Sequence, residues 1–595
     1  MEMKWSLNEL YKSFDSVEFK EDINCFENSI EYIKKWTIEN CNPSNDGTKS
    51  NDSKLKIEAY INFENEFNDL VNKLFNYTEL VLSIDTKNEI ANKFSEKLSL
   101  NVAGLAKPYT VFSKWINSLE NLESLIEDSN LIKAHSYYLS DLARNAKYLL
   151  SDTEEELMAK MKNSGSNAWS KLQNILTSTL LIPININGKE EKLPLSTIRN
   201  MAFDKDSRKR KNAYESELKS YDAIAESSAA ALNGIKGEVI TLCKARGYKS
   251  PLHNALENSR MDSETLDVML SAMMESLPSF EKYFRKKAEL LGYSEGLPFY
   301  ELFAPMGTAN MHFTYDSARE FIVRNFDTFS NKLSSYADNA FSHNWIDAEP
   351  RVGKLGGAFC ANLHSIKESR ILSNFTGSFN DVSTLAHELG HGYHGLCLTE
   401  ESALNSDYPM PIAETASIFC ETIISNAALK NASKEEAFAI LEHNISSNAQ
   451  VIVDILSRYL FETELFKRRE NSSLPVNELK EIMIDAQKKA YGAGLDHNFL
   501  HPYMWICKPH YYDASSNFYN FPYAFGLLFS KGLYAEYLKR GYSFVNEYDA
   551  LLSATGKNNL VQVAKMMNVD IHSIDFWRSS LNLITLDIEK FVNMN

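Results

Sequence analysis

The sequence predicts a mostly α-helical protein of more than one lobe, with two short strand pairs. Three observations lead there. Its 595 residues exceed what one ordinary hydrophobic core holds together. Apolar residues recur at three-and-four spacing, with few Gly or Pro, over 55–98, 120–163, 208–244, 262–292, 316–340 and 433–470. Strand-like runs are confined to 179–196 and 356–375.

Taken in order, "NPSNDGTKSNDS" (42–53) is polar and rich in turn residues, and predicts a loop between helices. "TLLIPININGKEEKLPLS" (179–196) has β-branched runs on either side of Asn187-Gly188, which predicts a hairpin. A charged stretch and a return to helix follow, which places a domain boundary near residue 196. "GGAFCANLH" (356–364) and "ESRILSNF" (368–375) predict a second strand pair. "SKEE" (433–436) has the Ser-x-x-Glu form of a capping box ahead of an apolar run.

Composition excludes several classes. The formal charge is −17, with no long basic run, which argues against nucleic acid or an anionic membrane as partner. The seven cysteines (25, 41, 243, 360, 397, 420, 507) are scattered without a Cys-x-x-Cys pair, so reduced thiols are expected. No apolar stretch follows the charges of "MEMKWSLNELYKSFDSVEFK", and no segment reaches the roughly 18 apolar residues of a spanning helix. A cytoplasmic protein is expected.

Only 13 residues are histidine, yet three fall within "TLAHELGHGYHG" (384–395). Val382, Leu385, Ala386, Leu389, Tyr393 and Leu396 recur at helical spacing, with Asn380 or Asp381 as the expected N-cap. On that helix His387 and His391 project from one face one turn apart, close enough to bind the same ion. Glu388 follows the first histidine and can touch an ion-bound water without ligating the ion. This His-Glu-x-x-His string is the zinc-site pattern in which the Glu acts as general base. A di-iron bundle would need a second Glu-x-x-His on another helix, and no other histidine has a glutamate three residues before it. A metzincin would need Gly at 394 and His at 397, where His394 and Cys397 stand. His394 lies two turns, about 10 Å, from His387. It reads as an outer-layer or substrate-facing group or as plain packing. Glycines at 390, 392 and 395 disfavour the helix, so something is expected to pack very close to it.

Two histidines leave a tetrahedral ion one protein ligand short, with a last position for water or substrate. Glu414 in "YPMPIAETASIFCET" is the favoured third ligand, expected in the first turn of a helix that Pro409 and Pro411 begin. Glu400, Glu401 and Glu421 are rivals. The first two follow the histidine helix too closely to fold back easily, and Glu421 lies two turns further down.

"FTGSFNDVSTLAHELGHGYH", "MPIAETASIFCE" and "KPHYYDASSNFYNFPYAFGLLF", occurring in that order, resemble the oligoendopeptidase F branch of the thimet-oligopeptidase-like zinc metallopeptidases. The likeness runs over roughly 110–590 and leaves the first hundred residues without a nameable counterpart. It implies a mostly α, two-lobed metallopeptidase with a deep substrate channel and a small β-sheet beside the zinc helix. Residues 1–196 would be the family's N-terminal helical domain and 197–595 the catalytic domain. It implies one Zn2+ held by His387, His391 and Glu414, with Glu388 activating water. It also implies that His510, Tyr519 and Tyr523 face the scissile carbonyl. Thimet relatives carry a further tyrosine where this chain has Gly526, so two tyrosines carry over.

The residues agree with what such chemistry needs. Residues 501–523 hold five tyrosines and two histidines, neutral donors suited to a growing oxyanion. Tyr503, Tyr511 and Tyr512 read as packing or substrate-wall residues. The strand at 356–364 is either an edge that pairs with an extended peptide, helped by Gly356 and Gly357, or a hairpin that supports the helix. Glycines 356, 357, 390, 392 and 395 are taken to line a narrow channel. The expected function is zinc-dependent endopeptidase action on short unfolded oligopeptides. The alternatives are a carboxypeptidase or dipeptidyl carboxypeptidase on the same scaffold, and a non-catalytic peptide-binding protein.

Overall fold

The computed structural model describes residues 1–41, 50–186, 188–307 and 311–594. The chain is mostly helical and divides into two compact units. The first comprises Met1–Leu149, Met311–Lys430 and Glu536–Val569, the second Leu150–Asn310, Asn431–Ala535 and Asp570–Asn595. The units interleave along the chain, each drawing on three separate stretches of it. Among the described residues no helix is long and apolar enough to cross a membrane.

Among the described residues five strands form: β1 (Leu181–Ile186), β2 (Lys189–Pro194), β3 (Ile346–Asp347), β4 (Phe359–Leu363) and β5 (Glu368–Leu372). β1 and β2 form the expected antiparallel hairpin, with Gly188 at φ +85° in its turn; Asn187 lies outside the described residues. β4 and β5 pair antiparallel as expected, and β3 adds in parallel to give the order β3-β5-β4, which leaves β4 at an edge.

In the first unit this small sheet rests on a helical core. Leu363 and Leu372 join Phe19, Ile57, Phe112 and Trp115 in one buried cluster. Arg370, fully buried on β5, donates to Glu9, Glu368 and the Ser6 carbonyl. His364 Nδ1 meets Asp69 at 2.8 Å. The first hundred residues, opaque in sequence, therefore back the sheet.

Helical segments formed where periodicity placed them, but several are broken by internal caps. The stretch 55–98 divides at Asn88, whose side chain accepts from the Ala91 N–H and starts Glu89–Ala103. The stretch 120–163 becomes four short helices, with Ser129 and Ser151 as caps. By contrast 262–292 is one helix, Ser263–Leu291, and Ser433 with Glu436 forms the expected capping box. Of the loop expected at 42–53, residues 42–49 lie outside the described residues, while 50–53 already belong to helix Ser50–Ile84. The histidine helix spans Phe379–Leu398, and its N-cap is Ser378 instead of Asn380 or Asp381. Asp381 is the third residue of a reciprocal capping box, accepting from the Ser378 N–H.

Candidate metal centre

The histidine helix lies against β4 and β5 on one side and helix Thr415–Asn431 on another, and its glycines explain how closely. A Cβ at Gly390 would stand 2.5 Å from the Ser417 Cα. At Gly392 it would overlap the Tyr336 hydroxyl, and at Gly395 it would lie 2.2 Å from Asn362 Oδ1 of β4. The close neighbours are thus internal to the unit. The expectation that these three glycines line a channel is corrected: they are consumed by packing. Gly356 and Gly357 have open space where a Cβ would be.

The approach at Gly390 brings Glu414 to the histidines. Glu414 is not in a helix's first turn as expected; it sits at the break between the short turn Met410–Ala413 and helix Thr415–Asn431. That break aims its carboxylate across to the histidine helix. His387 Nε2 and His391 Nε2 are 3.1 Å apart, and Glu414 Oε2 is 3.3 Å from the first and 3.5 Å from the second. Ligands bound tetrahedrally at about 2.0–2.1 Å stand about 3.3–3.4 Å from one another. Two imidazoles and a carboxylate in this triangle can hold a dication with a position left open, and among the described residues they form the one such cluster.

The other ring atoms are engaged. His387 Nδ1 pairs with Glu421 Oε1 at 2.7 Å, and His391 bonds the Ala413 backbone. Such partners fix ring orientation and tautomer so that the other nitrogen faces an ion. The rivals are thereby sorted: Glu400 pairs with Lys367, Glu401 with Lys557, and Glu421 stands behind His387. Sequence reasoning missed this supporting role. The usable signal was the seven-residue spacing of Glu414 and Glu421, which puts both near one helix face.

Electrostatics follow from burial. Glu388 is 6% exposed, and burial pushes its carboxyl up to about 7, with Glu414 and Glu421 adding to the rise against the pull of His387. Burial disfavours charge on His387, but the Glu421 hydrogen bond and the surrounding carboxylates outweigh it and push it up to about 9. Burial and the neighbouring His387 push His391 down to about 4. His394 is fully buried, stacked on Tyr408, bonded to Thr555 Oγ1 at 2.8 Å and held down to about 3 by burial. It is a packing residue.

In the second unit the aromatic segment sorts itself by burial. Tyr503, Tyr511 and Tyr512 are 5%, 2% and 3% exposed and belong to the core. His510, Tyr519 and Tyr523 are half-buried and contiguous. The His510 and Tyr519 rings are 5.3 Å apart, and Tyr519 meets Tyr523 edge-on at 5.5 Å. His510 lies in a short turn, Pro509–Tyr512, pinned by Ser170 to the Tyr512 carbonyl and flanked by Gln173 to the Ile506 carbonyl. Burial, then the Arg458 and Lys508 charges, hold its imidazole below the ordinary histidine range. It is neutral at neutral pH and can donate one N–H.

Residues 200–583 match the family model of peptidase family M3, and residues 118–181 match that of oligopeptidase F. The chain belongs to peptidase family M3. Among curated relatives of this M3 peptidase, oligopeptidase PepF of Bacillus subtilis is 24% identical over 88% of this chain and 78% of its own length. An oligoendopeptidase F homolog of Borreliella burgdorferi is 23% identical over 99% of this chain and 97% of its own length, so the first hundred residues do have counterparts. A crystal structure from Chlamydophila abortus, described as a peptidase, has the same fold with TM-score 0.82 at 19% identity, covering 100% of this chain and 98% of that one. Oligoendopeptidase F of Enterococcus faecium superposes with TM-score 0.70 at 17% identity over 96% of this chain and 98% of that one.

Proposed function

We propose that this M3 peptidase is a zinc-dependent endopeptidase that cleaves internal bonds of short, unfolded oligopeptides. The triangle of His387 Nε2, His391 Nε2 and Glu414 Oε2, with separations of 3.1–3.5 Å, carries the reading. These three residues would hold one Zn2+ ion. Zinc, when bound, acidifies water towards a pKa of about 7 and polarises a carbonyl.

The chain's own groups do the rest. Glu388 is one residue from His387 and buried, which raises its basicity. It takes the proton of the attacking water and returns it to the departing amine. His510, Tyr519 and Tyr523 take the part that the resemblance gives them, neutral donors to the carbonyl oxygen as it gains charge. Their half-buried, contiguous arrangement supports that part. The edge strand β4, beside the histidine helix, pairs with an extended substrate backbone and fixes its register without reading side chains; the open space at Gly356 and Gly357 supports this. A pairing of backbone with backbone selects unfolded chains. Peptides of roughly 5–20 residues are substrates and folded proteins are not. Seven cysteines with no disulfide between them among the described residues support a reducing compartment, the cytoplasm.

The test is hydrolysis of internally quenched peptides blocked at both termini, with and without chelator, followed by mass spectrometry. Internal cleavage that a chelator stops and zinc restores is expected. Cleavage only after unblocking would make it an exopeptidase, and binding without turnover a peptide-binding protein; either overturns the reading.

A further inference from the structure

Beneath the loop that carries Tyr519 lies a buried polar chain. Lys236, in helix Ala225–Arg246, donates to Glu462 Oε1 and to Asn517 Oδ1, both at 2.9 Å. Glu462, in helix Ile455–Arg469, accepts at its other oxygen from Asn520 Nδ2 at 3.0 Å. Lys236 and Glu462 are 0% and 2% exposed, and both asparagines are buried. The two asparagines flank Phe518 and Tyr519, so the ion pair grips the loop at both ends.

What lies between them is strained. Phe518 adopts φ +54°, the left-handed region that a bulky residue rarely enters. Its ring is buried against Phe466, at 5.5 Å. Tyr519, next along the chain, is half-buried and contacts His510 and Tyr523. Asn520 is also fixed locally, its Oδ1 accepting from the Phe521 N–H at 2.6 Å at the start of helix Phe521–Arg540. A conformation of this kind persists only when its surroundings over-determine it. Lys236 and Glu462, 226 residues apart, supply that constraint.

Buried ion pairs are a poor source of stability, because desolvation offsets their attraction and well-packed apolar residues do as well or better. A structural role alone therefore does not account for this one. We infer that Lys236 and Glu462 are positioning residues: through Asn517 and Asn520 they hold the Tyr519 hydroxyl in the orientation its proposed donor role requires. The inference rests on the function proposed above.

The test is a cycle on the full-length zinc-loaded enzyme with a blocked peptide. The double variant Lys236→Met/Glu462→Met removes the grip without stranding a charge. It is expected to keep its Tm and to lose about tenfold to hundredfold in kcat, the scale of losing an orienting partner, with KM changed less than about threefold. Placed on Tyr519→Phe, the same pair should cost less than about twofold more, because the group it positions has gone. Should the double variant fail to fold, Asn517→Ala leaves the ion pair whole and carries both readouts. Its kcat loss of at least about threefold should vanish on Tyr519→Phe. A folded variant with wild-type kcat, or an undiminished loss on Tyr519→Phe, overturns the inference alone. If Tyr519→Phe itself retains full kcat, the donor role and this inference fall together.

Discussion

The helix Phe379–Leu398 and the segment 501–523 both concentrate polar side chains in a short stretch, but they fix them by different means. On the helix, spacing does the placing: His387 and His391 share a face because they are one turn apart, and Gly390 admits the backbone that brings Glu414. In 501–523 the chain is largely irregular until Phe521, and Tyr519 is placed by partners distant in sequence. A site on a regular element can be read from its period; one on a loop depends on contacts that no local pattern records.

The largest effect expected is at the helix. Glu388→Gln should keep its zinc and lose at least about 100-fold in kcat, as removal of a general base does. Metal content measured beside turnover checks this, and a fully active Gln variant breaks the mechanism. The loop should give a comparable loss without touching the metal. Tyr519→Phe is expected to lower kcat by about 100-fold, the scale for one oxyanion donor. Tyr511→Phe should leave kcat unchanged, since the Tyr511 hydroxyl is buried in the core, without a hydrogen-bond partner among the described residues. Equal losses at the two tyrosines would erase the distinction drawn from burial.

Smaller effects sharpen the helix side. Glu421→Gln retains the bulk behind His387 but removes the charge at Nδ1, and should weaken zinc binding by about 10–100-fold, as losses of outer partners do. Competition with a chromophoric chelator measures it. Gly390→Ala forces a Cβ to 2.5 Å from the Ser417 Cα. Overpacking of this kind costs about 1–3 kcal/mol and should lower Tm. Gly356→Ala, where space is open, should not.

Much of this was legible in advance, for reasons that differ by residue. The strand pair 359–363 and 368–372 and the long helix 263–291 follow from alternation and period. The breaks at Asn88 and Ser151 were missed because a cap inside an apolar-periodic stretch looks like a polar face position. Ser378 was missed as a cap because its partner is Asp381, whereas the common box carries Glu or Gln. The sequence favoured Glu414, whose carboxylate does come within 3.5 Å of both histidines, yet its place at a helix break depends on tertiary approach at Gly390. Glu421, weighed as a rival ligand, meets the Nδ1 of His387 and not the nitrogen that faces Glu414. The grip of Lys236 and Glu462 on residues 517–520 has no sequence signature, since each residue alone reads as an ordinary helix charge.

The central claim is that Glu414, and no other carboxylate, completes the metal site with His387 and His391. Zinc bound per chain, measured by elemental analysis of the purified wild type, Glu414→Ala and Glu421→Ala after dialysis at matched free zinc, tests it most directly. The account predicts one equivalent in the wild type, near loss in Glu414→Ala, and partial retention in Glu421→Ala. One equivalent retained in Glu414→Ala together with an empty Glu421→Ala would contradict it.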